Sequence, residues 1–512
     1  MGAVPLQRFL PVSEPQPLTE SAGHKYYRSK VFVVRGTAVT ERYSRPRFAT
    51  LLSGSAVGVY LLVVAGATAA IADAASACSA WPVCSSPPTL AEPALVVAWG
   101  HRVVAALVGV LVLTTAVIGL RRSTVSRRVK AALAFALALF PVQVALGAQV
   151  ATTGAANPFP AVHLLTGMGI FAGLTLALAW QLEPRDADAS TGDPEPEPEP
   201  TPAAEPATEP GEQPPLPDST FARAAHVVEA YFRLMKPRLM WLLCLVASAG
   251  MALAAGAAGT ELTVRTIVLT LGGGVLAIGS SGTFNHILER DRDKKMDRTS
   301  DRPIATHQLP VRNAVAFGLA LAVASVAVFL QVNLLAAALG LSAILFYSVV
   351  YTLVLKPNTV QNTVIGGAAG ALPALIGSAA VTGTIGLPGL MLAGVIFVWT
   401  PAHFYNLALA YKDDYERGGF PMMPVVRGEA TTRKHILLWL ATTLLAAAGL
   451  AALTDLGWVY AVTTTALGAV FLWAVVRLHR ERDESAAFRA FHASNAYLGA
   501  LLLAIVVDAL VV

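Results

Sequence analysis

What most constrains this chain is how often it turns apolar for the length of a membrane span. Apolar stretches run near 51–72, 94–120, 131–151 and 161–181, and then near 239–256, 266–288, 311–330, 331–354, 362–382, 388–411, 435–453, 456–478 and 490–511. Each is about 20 residues, the length a helix needs to cross hydrocarbon. Inside a bilayer every backbone N–H and C=O must be satisfied within the segment, so runs of this length are read as helices. The expected fold class is therefore all-α: a polytopic membrane protein of four helices, then nine. Composition agrees, with 55% hydrophobic and 13% charged residues, more apolar surface than a soluble domain can bury. A formal charge of +5 is too small to suggest a nucleic-acid partner; here Lys and Arg report loop orientation instead.

Between the fourth and fifth stretches lies "EPRDADASTGDPEPEPEPTPAAEPATEPGEQPPLPDST", rich in Pro and acid. It has too few apolar side chains to bury a core and reads as an extended tether. The expected organisation is a tail (1–49), a four-helix domain (50–181), a linker (182–220) and a nine-helix domain (221–512). If the helices alternate, "RRSTVSRRVK" (121–130), the 289–312 segment, Lys356, the 412–434 segment and "RLHRERDE" (477–484) share one side. The positive-inside rule makes that side cytoplasmic, in a multi-pass protein of the cell membrane. The tail is basic, lacks a signal-peptide pattern and is expected to stay inside.

Residues 284–303, "FNHILERDRDKKMDRTSDRP", follow an apolar run directly. Asn285, Glu289, Asp293 and Asp297 recur every four residues, which puts four oxygen-bearing side chains on one helical face. Alone, such a segment could be a solvated, ion-paired helix end. A second acidic segment, "HFYNLALAYKDDYERGGFPMMPVV" (403–426), carries Asp413, Asp414 and Glu416 on the same side. Two carboxylate clusters at one membrane face repel unless a cation sits between them. Mg²⁺ fits, since it bridges a few carboxylates to substrate phosphates. Arg290, Lys294, Arg298 and Lys412 are near in sequence and could help neutralise a departing diphosphate. The chemistry that suits these residues is ionisation of an allylic diphosphate and transfer of its prenyl group.

The pairing of "NHILERDRD" with "YKDDY" resembles the intramembrane UbiA-type prenyltransferases. "MKPR" (235–238), "MDRTSDRP" (296–303), "YTLVLKPNTVQNTVIGGAAGALPALIG" (351–377) and the 403–426 segment are similar to the protohaem IX farnesyltransferases, or haem O synthases, of that family. The resemblance covers about 225–512. It implies farnesyl diphosphate as donor, the vinyl group of protohaem IX as acceptor, and haem O and diphosphate as products. It implies catalytic roles for Asn285, Glu289, Asp293, Asp413 and Asp414, and Mg²⁺ ligation by Asn285, Asp293 and Asp414. Asn285 and Asp293 are placed ahead of Glu289 because the family has Asp where Glu289 stands. Substrate contacts are implied for Lys236, Arg290, Lys294, Arg298, Lys412 and His403, with helix packing an equal reading of His403. Gly366, Gly367 and Gly370 have the spacing of close helix packing.

In the first four stretches, His101 and His163 sit near the outer ends of the second and fourth helices. Two imidazoles at one depth in a four-helix bundle suggest bis-His haem ligation, with Arg102 available to a propionate. Two packing histidines are the alternative. Cys78 and Cys84 fall in an outer loop, where an oxidising exterior permits a disulfide and zinc is a competitor. Cys244 reads as packing. "CSAWPVC", "GHR", "LGAQVATTG" and "FPAVHLL" resemble the haem A synthases over about 50–181, one half of that family's usual eight helices. Ala98 stands where the family has an acid, so the resemblance implies haem binding, with oxidation, carriage or partnership in the next step left open. Haem A synthase or terminal-oxidase assembly proteins are the implied partners, besides the bilayer. The rival functions are prenyl transfer to a quinone or lipid acceptor, and a non-catalytic haem-binding assembly factor.

Overall fold

A computed structural model describes residues 44–71, 77–89, 91–154, 158–183, 219–454 and 456–511. The tail reading falls almost wholly, and the linker reading mostly, outside the described residues. Among the described residues the regular structure is helical, and thirteen helices are long and apolar enough to cross a membrane.

The first four spans are α1 (Ser44–Ile71), α2 (Pro93–Arg121), α3 (Arg127–Thr153) and α4 (Phe159–Leu182). The short α5 (Thr220–Leu234) precedes the second set, α6 (Pro237–Ala258), α7 (Val264–Asp293), α8 (Val311–Leu330) and α9 (Leu334–Asn358). It continues through α10 (Asn362–Thr382), α11 (Leu387–Ala410), two short helices α12 (Lys412–Arg417) and α13 (Met423–Arg427), and α14 (Glu429–Leu453), α15 (Trp458–Glu481) and α16 (Glu484–Val511). Local chemistry sets the ends. Ser126, Ser219, Thr263 and Asn333 each cap a helix by accepting from the amide three residues on. Pro opens α2, α4, α6 and α11, where its missing N–H costs nothing. Asn333 ends the apolar continuity between 311–330 and 331–354: it caps α9 and also donates to the Ala379 carbonyl at 2.7 Å.

Three departures from sequence periodicity matter for the site. α5 is too short to span, and it packs Ala230 and Leu234 against Ile287, Ile304 and Leu309 under the end of α7. α9 widens into π turns over Phe346–Leu355, with Thr352 Oγ1 donating five residues back to the Tyr347 carbonyl. Third, α7 ends at Asp293, so Asp297 leaves the face shared by Asn285, Glu289 and Asp293 and lies exposed in the following turn.

Small residues let the helices approach. A Cβ at Gly377 of α10 would sit 2.2 Å from the Ala247 carbonyl oxygen of α6, and one at Gly366 would sit 2.6 Å from the Tyr351 ring. One at Gly367 would lie 3.1 Å from the Phe397 carbonyl, whereas Gly370 has only ordinary contacts. The N-terminal bundle shares a continuous apolar core with α14–α16. Tyr60 of α1 bonds Thr464 of α15 at 3.0 Å, and Thr464 bonds Tyr497 of α16 at 3.1 Å, all three buried.

Candidate active site

α7 carries its polar triad on one face, one turn apart, and buries it: Asn285, Glu289 and Asp293 are each at most 3% exposed. Charge there has to be matched, because an unpaired carboxylate in low dielectric is costly. The bundle supplies one cation per turn. Lys236, between α5 and α6, donates to Asn285 Oδ1 and, at 3.3 Å, to the Tyr347 hydroxyl. Lys356, in the last turn of α9, donates to Glu289 Oε1 at 2.6 Å. Arg302, in the turn after α7, places Nη1 2.8 Å from both oxygens of Asp293 and 3.7 Å from Glu289. Asn285 Nδ2 donates to Thr352 Oγ1 at 3.2 Å, which fixes its oxygen toward Lys236. Burial, and then the neighbouring charge of Arg302, pushes the Lys236 ammonium down to about 7.

The residues expected at the site fall into two groups. Asn285, Glu289, Asp293 and Lys236 are brought together. Arg290 and Lys294 are not, because one position along the helix turns them about 100° from the triad. Arg290 pairs with Asp291, and Lys294 bonds His307 at 3.1 Å. Arg302 and Lys356 take the places expected of them. Arg302 lay in the quoted "MDRTSDRP" and Lys356 in "YTLVLKPN", but only the turn after α7 and the π turns of α9 aim them inward.

The second acidic segment forms a separate wall. Asp414, 6% exposed, accepts from the backbone N–H of Asp297 at 3.0 Å and of Arg298 at 3.1 Å, and also pairs with Arg417. Both its oxygens accept hydrogen bonds, so in this geometry it braces the turn after α7. Asp413 is exposed and lines a cavity of about 470 Å³ with Asp297, Arg298, Lys412, Arg417 and Glu429. Lys412 pairs with Glu429 at 3.1 Å. Arg298 lies over the rings of Tyr411 and Tyr415 and donates to the Tyr415 hydroxyl. His403 is stacked between Trp399 and Phe491 and bonds Ser494 at 2.7 Å, a packing geometry.

In the N-terminal bundle, Cys78 and Cys84 form a disulfide. Arg102 donates to the carbonyls of Cys78 and Ala80 and so clamps the disulfide loop. His101 and His163 each have a buried Nδ1 without a hydrogen-bond partner. Gly147 leaves room beside one ring, where a Cβ would lie 3.1 Å from His163. Gln143 approaches His163 Nε2 at 3.4 Å. An apolar cavity of about 200 Å³ opens beside His101, lined by Leu61, Val97, Val104 and Trp458 among others.

Comparison with known proteins follows the same division. Residues 242–499 match the UbiA prenyltransferase family, and residues 49–204 match the COX15-CtaA family of cytochrome oxidase assembly proteins. The chain is 66% identical to protoheme IX farnesyltransferase of Haloarcula marismortui, over 90% of this chain and 98% of that protein. It is 65% identical to protoheme IX farnesyltransferase 1 of Natronomonas pharaonis, over 91% of this chain and 99% of that protein. Among solved structures, a digeranylgeranylglyceryl phosphate synthase aligns at 16% identity and a TM-score of 0.47, covering 56% of this chain and 99% of that one.

The brace can be tested without turnover. Asp414→Asn is expected to raise amide hydrogen exchange at Asp297 and Arg298 by at least about tenfold, the loss of a charge-assisted hydrogen bond of roughly 1.5–3 kcal/mol. Unchanged protection there would show that the carboxylate does not hold the turn.

Proposed function

The chain belongs to the UbiA prenyltransferase family and is a membrane prenyltransferase, and from that premise we infer that it farnesylates protohaem IX to give haem O. Ionisation of farnesyl diphosphate breaks its allylic C–O bond. A new C–C bond joins farnesyl C1 to one vinyl carbon of the porphyrin, and water adds to the other as a hydroxyl, its proton leaving with the released diphosphate. The single observation that carries the site assignment is the buried triad of α7 with one cation per turn.

The donor set fits Mg²⁺. Two carboxylates and an amide oxygen are hard ligands, and no group of three or more His, Cys, Asp or Glu among the described residues forms an all-protein cage. Mg²⁺ is suited to that arrangement, because it takes one or two carboxylates and completes its shell with phosphates and water. Asn285, Glu289 and Asp293 would hold it. When bound it supplies Lewis-acid neutralisation of the diphosphate as the C–O bond breaks. The protein's own part is charge exchange. With Lys236 protonated, the two carboxylates and three cations leave one net positive charge. A diphosphate ester trianion with one Mg²⁺ would bring one net negative charge, so the loaded site would be neutral. With the diphosphate in the site, Lys236, Lys356 and Arg302 would turn from the triad to the phosphate oxygens, and Asn285, Glu289 and Asp293 would be free to hold the metal. Asp414 keeps Arg302 within reach by bracing Asp297 and Arg298. Asp413, Lys412 and Arg298 line the adjoining cavity as secondary substrate contacts.

Haem O measured by chromatography after expression tests this reading against a quinone or lipid acceptor. Asp293→Asn is expected to lower farnesyl transfer by about 10²–10³-fold, the cost typical of losing one preorganised electrostatic contact, in a protein that still inserts and folds. Prenylation of a different acceptor by the wild type, or haem O production retained by the mutant, would contradict it.

The basic loops support a cell-membrane protein whose prenyl-transfer end faces the cytoplasm, with the Cys78–Cys84 loop on the oxidising side. In the N-terminal bundle, two half-buried imidazoles, each with a buried and unpartnered Nδ1, fit a bis-His haem site. Such a module suits carriage of haem toward haem A synthase or a terminal-oxidase assembly partner. The purified full chain is expected to show a six-coordinate, bis-His haem spectrum that His101→Ala or His163→Ala destroys. A colourless wild-type protein, or mutants with an unchanged spectrum, would contradict this.

A further inference from the structure

The N-terminal bundle does more than sit beside the prenyl-transfer half, and the residue that joins them is Glu183. It follows the last turn of α4, yet its carboxylate is 4% exposed. One oxygen accepts from Arg433 Nε of α14 at 2.6 Å, and the other lies 3.6 Å from Arg482, between α15 and α16. Arg433 is itself buried and reaches Glu429 at 3.5 Å. Glu429 pairs with Lys412 at 3.1 Å, and Lys412 opens the helix that carries Asp413 and Asp414. Asp414 in turn holds the backbone amides of Asp297 and Arg298, in the turn that delivers Arg302 to Asp293. The contacts between elements are hydrogen bonds or ion pairs, and the backbone itself carries the steps from Lys412 to Asp414 and from Arg298 to Arg302.

We propose that Glu183 is a positioning residue for prenyl transfer: it fixes Arg433, and through Glu429 and Lys412 it sets the α12 segment and the turn that closes the Asp293 end of the site. The inference rests on the reading of the α7 triad as the diphosphate site. The physical reason for the arrangement is the cost of burying Arg433. Without Glu183, its guanidinium would keep only the half-exposed Glu429 and would draw it away from Lys412. The pull on Lys412 would then relax, and the α12 carboxylates would lose their register with the turn. The fused bundle thus contributes a side chain that the second acidic segment depends on.

A double-mutant cycle on the full-length protein tests this, using Glu183→Gln, Glu429→Gln and the pair, assayed with farnesyl diphosphate and protohaem IX well below each variant's melting temperature. Glu183→Gln is expected to lower kcat by about ten- to a hundredfold, the range for a displaced positioning group. The Mg²⁺ concentration giving half-maximal rate should rise with it. Because the residues act in one chain, the double mutant should be no slower than the slower single mutant. A Glu183→Gln protein with a lower melting temperature but unchanged kcat and Mg²⁺ dependence would reduce Glu183 to a structural contact and overturn the proposal. So would strictly multiplicative effects in the cycle. A wild type that makes no haem O would instead overturn the functional reading on which the proposal rests.

Discussion

The organisation of this protein follows from one constraint: a carboxylate buried in a helical bundle within a bilayer must keep a positive partner. Glu289 and Asp293 are almost wholly enclosed, and water cannot solvate them. The cations that line the triad come from three different places in the chain: Lys236, before α6, on Asn285; Lys356, in the last turn of α9, on Glu289; and Arg302, in the turn after α7, on Asp293. Each requires a local backbone feature. Lys236 sits in the left-handed region at φ 57°, immediately before the Pro that opens α6. Lys356 ends the π turns of α9, and Arg302 depends on a turn braced by Asp414. The irregular backbone at the site is there because the charges have to meet.

That also explains what could be read from the sequence and what could not. The thirteen spans were legible, since hydropathy over about 20 residues is a signal no local detail can hide. So was the triad, because Asn285, Glu289 and Asp293 obey helical spacing. The extrapolation to Asp297 failed where the helix ended, a boundary set by tertiary contacts. Arg290 and Lys294 were attractive for nearness in sequence, yet helical geometry turns them away. Lys356 was invisible as a site residue, because π turns have no pattern of their own and a lone Lys at a helix end reads as a topology marker.

The N-terminal half shows the same limit. Its helices and its Cys78–Cys84 pairing were accessible from the residues and their side of the membrane. Its docking was not. Glu183 opens an acidic, Pro-rich stretch and looked like tether, but its carboxylate is buried against Arg433. The Tyr60, Thr464 and Tyr497 hydroxyls bridge two helix sets that a tether model would leave independent. Arg102, read from the sequence as available to a propionate, donates to the disulfide loop.

The central claim is that the triad and its three cations exchange partners when the loaded diphosphate arrives. Thermal unfolding of the full-length protein with Mg²⁺, with farnesyl thiodiphosphate, and with both is the direct test. Mg²⁺ alone would have to displace cations that have no anion to receive them, and the diphosphate alone would bring more negative charge than the cations neutralise. Stabilisation by a ligand scales with the fraction bound to the folded state. The account predicts that the melting temperature rises appreciably only when both are present. A rise with Mg²⁺ alone equal to that with both would contradict it.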